Sequence, residues 1–362
     1  MVLRNWALAG ALIAAACPAA ADTLVIGQVA ELSGQGPVAE QVAGAKLWFD
    51  SVNDSHGPHS FVLKQYDDQR DAKLTLTLTH KLVDEDNAIA LFGYRSTPSL
   101  NALAGELDKL GIALVAPFNG SETIRSSAKN AFFLRGSYRD EAVRLVAQLQ
   151  AMGLREAAVV YQDDPFGREG LAHYKEALAA RGLKAKATLP YDRKTLDVKP
   201  AIDGLLQAQP QAVLMACTPK ACADIIRSVR ERKNPMLFGV LSNTATDEFV
   251  KSVAPVGTNV IISQVMPYPW NTAQPLVREF NRLNALHHDS VPLSYSSLEG
   301  FAAARLLTEA LKTAGPKPTR AGLIEALRRM KSVDLGGIRY SAGEKHYFTE
   351  VTTVRSDGKI VH

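Results

Sequence analysis

Several things are scarce in this sequence, and each scarcity closes a door. No apolar run reaches the roughly 20 residues that a bilayer-spanning helix needs; the longest candidate, Trp6 to Cys17, falls short. Excess charge of one sign is missing too, with 41 Lys plus Arg against 37 Asp plus Glu. The basic residues are scattered without interleaved aromatics, so nothing points to nucleic acid. No G-x-S-x-G elbow occurs, which removes the commonest signature of an α/β hydrolase. Histidines cluster only at His56 with His59 and at His287-His288 beside Asp289, all in loop-like polar segments. Neither group has a second cluster at metal-ligand spacing, so no metal and no cofactor are expected. Asp163 and Asp164 are adjacent loop residues and would rarely face one site as a catalytic pair. No enzyme activity is expected.

Cysteine is equally sparse, and most of its meaning lies in processing. Arg4 precedes the apolar run, and Pro18 followed by Ala19-Ala20-Ala21 supplies the small residues that a signal peptidase requires. Residues 1–21 are therefore expected to be removed before Asp22. A lipoprotein reading, with Cys17 lipidated, is weaker because Ala14 stands where such motifs carry Leu. Cleavage removes one basic residue, Arg4. The mature chain keeps Cys217 and Cys222, which stand at the N′ and N4 positions of a helix capped by Thr218. A staple brings those side chains together, so a disulfide could form in an oxidising compartment; two small apolar side chains in contact are the alternative.

What the sequence does contain is a strict alternation of strands and helices around one corner. Ile89 to Asn101 reads IALFGYRSTPSLN: a short apolar run fit for a buried strand, then Gly and a polar cluster. Thr97 is expected to be the N-cap of a helix with Pro98 at its first position. No Glu or Gln follows three residues later, so the first amides stay open, and with the Ser96 and Thr97 hydroxyls they suit a carboxylate. The same device recurs in QAVLMACTPK, Gln211 to Lys220, with Thr218 and Pro219. Two matched corners suggest two similar lobes, as the length also does.

The strand Ile112 to Ala116 leads into PFNGSETIR, where Asn119 or Ser121 could cap the next turn. Gly34-Gln35-Gly36 and Ala39 imitate a dinucleotide fingerprint, but Glu31, Leu32 and Ser33 separate it from the strand end and Pro37 interrupts it. A loop over a cleft is the better reading. The alternation restarts near Tyr138 to Arg139 with a helix from Glu141, and DDPFGREG from Asp163 reads as a loop. Such order predicts parallel sheets with ligands beyond the carboxyl ends of the strands.

These residues resemble the type I periplasmic solute-binding proteins of ABC transporters, in the leucine/isoleucine/valine-binding group. The matching stretches are LVIGQVAELSG, ALFGYRSTPSLNAL, GIALVAPFNGSETIR, VVYQDDPFGREGL, LSYSSLEGFAAARLLTEAL and HYFTEVTTVRSDGKIV, in family order along nearly the whole mature chain. The resemblance implies an α/β fold of two Rossmann-like lobes joined by a three-crossover hinge. Lobe 1 would comprise residues 22–138 plus 268–333, and lobe 2 residues 139–267 plus 334–362. It also implies a monomer in the periplasm that closes on a small carboxylate ligand and docks on a membrane permease.

Carried over by position, Ser96 and Thr97 hold the ligand carboxylate and Asn119, Gly120 and Ser121 complete that pocket. Phe166 is the second-lobe aromatic, and Tyr94 and Arg95 flank the site. Arg95 either grips a carboxylate or points to solvent. The departures concern the other end of the ligand. Amino-acid-binding members place an acid after the strand Met236 to Val240, but here Leu241, Ser242 and Asn243 follow. Cys217 stands where members can carry a polar or aromatic contact. A buried ammonium without a carboxylate is costly, so a keto or aromatic acid competes with a branched-chain amino acid. A sensor using the same clamp remains an alternative to a transport receptor.

Overall fold

The computed structural model describes residues 22–32, 37–256, 259–343 and 347–361. The leader 1–21 and the Gly34–Gly36 motif lie outside them. The first lobe begins β1 (Asp22–Ala30), α1 (Pro37–Asp54), β2 (His59–Asp67), α2 (Ala72–Asp84), β3 (Ala90–Phe92) and α3 (Thr97–Leu110). It continues with β4 (Ala113–Val115), α4 (Glu122–Ser127) and β5 (Ala131–Phe132). Its five strands are all parallel, ordered β2-β1-β3-β4-β5. Strands β3 and β4 are buried on both faces, which is why ALF and ALV read as unbroken apolar runs rather than alternating ones.

After five residues of crossover the second lobe runs α5 (Tyr138–Ala151), β6 (Ala157–Gln162), α6 (Pro165–Ala179), β7 (Thr188–Tyr191), α7 (Lys199–Ala208), β8 (Ala212–Ala216) and α8 (Pro219–Glu231). It ends with β9 (Leu237–Val240), α9 (Asp247–Val253) and β10 (Val260–Gln264). Helix α6 starts inside the stretch expected to be a loop. Asp164 caps it by accepting from the Gly167 amide at 3.0 Å, and Pro165 follows as a first helical residue; an Asp-Pro pair is a helix start as much as a turn signal.

The chain then returns to the first lobe as α10 (Pro275–Leu286), α11 (Tyr295–Ala314) and α12 (Arg320–Arg329). Helix α11 lies against α1 so closely that a Cβ on Gly44 would sit 1.8 Å from the Ser297 carbonyl oxygen, and one on Gly300 1.8 Å from that of Gln41. Glycine at both crossing points is what permits the approach. Trp48 of α1 packs edge-on to Phe301 at 5.2 Å and donates to Thr308 at 2.8 Å, so α11 is pinned as part of this lobe.

A hairpin of β11 (Val333–Asp334) and β12 (Arg339–Tyr340) follows, and β13 (Glu350–Val354) and β14 (Ile360–Val361) join the second sheet. That sheet is ordered β14-β13-β10-β9-β8-β6-β7, with β13 and β14 as its antiparallel members. The return to the second lobe was expected near Asp334. Instead, the Asp334 carboxylate accepts from the Gly336 and Gly337 amides, both at 2.8 Å, and turns the chain back. Leu276 then donates to the Gly336 carbonyl at 2.9 Å and Ala342 to that of Met330 at 3.0 Å. Residues through Ala342 thus stay on α10 and α12, and the switch falls before Glu350.

Candidate functional site

The carboxyl ends of β3 and β4 form one polar corner. Ser96, not Thr97, is the N-cap: its backbone is extended (φ −63°, ψ 120°) and its hydroxyl takes the Ser99 amide at 3.5 Å. Thr97 is already helical. Two good capping residues stood side by side, and the dihedrals chose the first. The Thr97 hydroxyl instead accepts from Asn119 Nδ2 at 2.9 Å, and the same amide donates to the Arg95 carbonyl at 2.6 Å. Asn119 Oδ1 takes the Ser121 amide at 2.8 Å, and Ser121 caps α4 through the Ile124 amide at 3.3 Å. Buried Asn119 therefore ties both corner loops together. Gly120 fits because a Cβ there would meet the Tyr138 ring at 2.7 Å, while its carbonyl accepts from the Tyr138 amide at 2.7 Å.

Three of the expected site residues face elsewhere. Tyr94 points into the first lobe, 1% exposed, with its hydroxyl 3.0 Å from that of Thr79; burial pushes its phenol well above the usual value. Gly93, just after the end of β3, turns the backbone through a positive φ of 61°, and beyond it Tyr94 enters the core while Arg95 reaches the seam. Phe166 lies in the first turn of α6 and packs edge-on to Tyr138 at 5.2 Å, inside the second lobe's core, because this stretch is helical rather than a loop. Cys217 is bonded to Cys222, with Cα atoms 5.7 Å apart, and fully buried. Its sulfur is bonded at the helix start within the core, and its carbonyl accepts from the Thr244 hydroxyl at 3.4 Å.

Across the seam the second lobe meets this corner at several points. Arg95 Nη2 donates to the Asn243 carbonyl at 2.8 Å. Glu169 of α6 accepts from the amides of Glu122 at 2.7 Å and Thr123 at 3.2 Å, so a carboxylate from one lobe occupies a helix start in the other. Glu40 of α1 takes the Asp247 amide at 3.4 Å and the Ser294 hydroxyl at 2.6 Å. The lobes are drawn together in this structure by these contacts.

Behind the seam lies a buried charge network in the first crossover. Arg135, 2% exposed, meets Glu141 of the second lobe at 3.3 Å and Glu299 of the first at 3.2 Å, and donates to the Ser242 hydroxyl. Glu141 also accepts from the Ser242 amide at 2.7 Å and the Ser263 hydroxyl at 2.6 Å, and Glu299 from Gln41 at 2.8 Å. Burial works against the Arg135 cation, but Glu299 and Glu141 outweigh it and hold its pKa above the ordinary value. Burial pushes Glu141 up despite Arg135 and its other donors. These residues escaped sequence reading. Arg135 is a lone charge in FFLRGS and Glu299 a lone charge in SLEGFAAA, which is a usable signal, since charges are rarely buried unpaired.

A cavity of 380 Å³ opens farther along the seam, lined from both lobes by Thr246, Asp247, Ser294, Tyr295 and the crossover residues Tyr268 and Trp270. It does not include the Ser96–Thr97 corner. Among the described residues no cluster of three or more His, Cys, Asp or Glu could hold a metal ion, and no helix is long and apolar enough to cross a membrane.

Comparison with known proteins agrees with this architecture. The profile of the family described as periplasmic binding protein matches residues 23–361. A solved substrate-binding periplasmic protein from Ralstonia solanacearum superposes with a TM-score of 0.86 at 29% identity, over 93% of this chain and 99% of that one. A possible leucine/isoleucine/valine-binding protein from Rhodopirellula baltica gives 0.87 at 24% identity, over 94% and 96%. An amino acid binding protein of Pseudomonas aeruginosa is 22% identical over 72% of each chain. A receptor-type adenylate cyclase of Leishmania donovani is 25% identical over 39% of this chain, a segment that spans 11% of that protein's length.

Proposed function

The chain belongs to the periplasmic binding protein family, and from that premise we propose that it is the exported solute receptor of an ABC importer. It captures a small carboxylate-bearing ligand, a branched-chain amino acid or a related keto or aromatic acid, by closing its two lobes. The observation that carries this reading is the seam itself. The Ser96, Thr97 and Asn119 corner of one lobe faces the Ser242–Thr244 turn of the other, bridged by Arg95 to the Asn243 carbonyl. A ligand that contacts both sides favours the closed state by its differential affinity alone.

In this reading the leader ending at Ala21 directs the chain to the periplasm. The mature monomer, with lobe boundaries near Tyr138, in the second crossover and between Ala342 and Glu350, hands its ligand to a membrane permease. It performs no chemistry on the ligand. The sensor alternative takes its support from the partial likeness to a receptor-type cyclase, and capture of a signalling receptor instead of a permease would favour it. The test of the site is Ser96→Ala combined with Thr97→Val, with ligand affinity followed by calorimetry. More than a tenfold loss is expected, since the variant removes one hydroxyl at the cap and the Asn119 anchor; unchanged affinity would locate the site elsewhere.

A further inference from the structure

Two groups on the seam lack the partner their chemistry calls for, the Arg95 guanidinium and the Asn243 side-chain oxygen. Among the described residues, the carboxylates along this part of the seam are already committed. Glu141 and Glu299 share Arg135 and take further donors. Glu169 is filled by two backbone amides, and Glu31 pairs with Arg70. Arg95 has no ion-pair partner among the described residues. Its guanidinium offers five N–H groups, one of which reaches the Asn243 carbonyl. Burial, together with the neighbouring Arg135, pulls its pKa below the ordinary value, against the partial help of Tyr138, Glu299 and Glu31. Beside it stands a second unmet group. The side-chain oxygen of Asn243 is buried without a hydrogen-bond partner among the described residues, and such an atom costs free energy until a partner is supplied.

We propose that this seam selects small 2-hydroxy or 2-oxo acids over α-amino acids, with Arg95 taking the carboxylate and the Asn243 amide the neutral group beside it. The inference rests on the solute-receptor reading above and narrows its ligand class. A mono-anionic ligand satisfies both unmet groups, its carboxylate pairing with the Arg95 guanidinium and its neutral oxygen with the Asn243 amide. A zwitterion brings an ammonium as well, for which Asn243 offers only a dipole, and a buried ammonium without a carboxylate partner is costly. An amide can present either its oxygen to a hydroxyl or its nitrogen to a keto oxygen, which is why both acids fit.

One rival partner for an ammonium exists in Glu40. Burial raises its pKa and no cation contacts it among the described residues, but its bonds to Ser294 and Asp247 set it on the aromatic-lined cavity's side of the seam. The experiment is therefore comparative. Mature protein is titrated calorimetrically with leucine, 2-hydroxy-4-methylpentanoate and 4-methyl-2-oxopentanoate, and with phenylalanine and its 2-hydroxy and 2-oxo counterparts. In at least one series the acids should bind at least tenfold more tightly than the amino acid. Arg95→Gln should cost roughly 10- to 100-fold, as losing charge-assisted hydrogen bonds does, and Arg95→Lys less.

Asn243→Asp provides a second handle should Arg95→Gln fold poorly. It gives Arg95 a carboxylate, so acid binding should fall at least tenfold while the amino acid gains. Tight amino-acid binding that Glu40→Gln abolishes would overturn the inference and leave the receptor reading standing. Absence of binding by all six compounds would overturn both.

Discussion

Replacing Arg135 by Met tests the buried network that joins the lobes. The guanidinium is 2% exposed and holds one carboxylate from each lobe, Glu141 and Glu299, both buried. Removing one partner of a buried pair leaves an uncompensated charge, at about 3–5 kcal/mol. Here two carboxylates lose the same cation, so the upper half of that range is expected near pH 8. Protonation relieves the cost, which gives the loss a pH dependence of known sign. Glu141 already has a raised pKa in the folded protein, and loss of Arg135 raises it further. A raised folded pKa means stability that is present below the unfolded value and is lost as pH rises through the folded one.

The variant should therefore sit closer to wild type at pH 5 than at pH 8, by about 1.4 kcal/mol for each unit by which the Glu141 pKa climbs within that interval. Urea unfolding of both proteins at the two pH values measures this. A variant that also carries Glu141→Gln and Glu299→Gln should recover most of the loss, because no charge is then left buried. A deficit under 1 kcal/mol at pH 8, or an equal deficit at both pH values, would refute the reasoning.

Two further outcomes follow from other contacts. The Cys217–Cys222 bond closes a loop with a sequence separation of 5; mass spectrometry of exported protein should find no free thiol, and replacing both by Ala should cost ~2 kcal/mol in urea unfolding. Glu169→Gln weakens the grip on the α4 amides and should favour the open form by roughly 1 kcal/mol, read as an approximately fivefold weaker ligand affinity. Burial opposes ionisation of Glu169, but bonds from His173, Ser121 and the Thr123 amide hold its pKa below the ordinary value. A depressed pKa gives stability that is present above the unfolded value and lost as pH falls through the folded one. Wild-type closure should accordingly be flat down to about pH 5 and weaken only below about pH 4; a decline beginning near pH 6 would contradict this.

How far each of these features could be read in advance depends on whether its cause is local. The buried parallel strands were legible because ALF, ALV and AVLMA have no polar face to show. Helix starts were legible to within a residue, since a cap is a contact between neighbours; the slip from Thr97 to Ser96 is the size of error that two adjacent capping residues allow. The Cys217–Cys222 approach was visible for the same reason. Errors began where one local signal served two structures. Asp164-Pro165 opens a turn or a helix equally well, and the Asp334 to Gly337 turn looks like a crossover until its neighbours on α10 are known.

The alternation of strands and helices, the two matched corners and the family's order of motifs lay in the sequence by itself, because period and punctuation are written in consecutive residues. Tertiary structure alone decided that, past the turn at Gly93, Tyr94 is core while Arg95 reaches Asn243, 148 residues away. It alone joined Arg135 to Glu141 and Glu299. A buried charge is tolerable only if its partner arrives from elsewhere in the chain, and the spacing between such partners is set by how the two lobes pack.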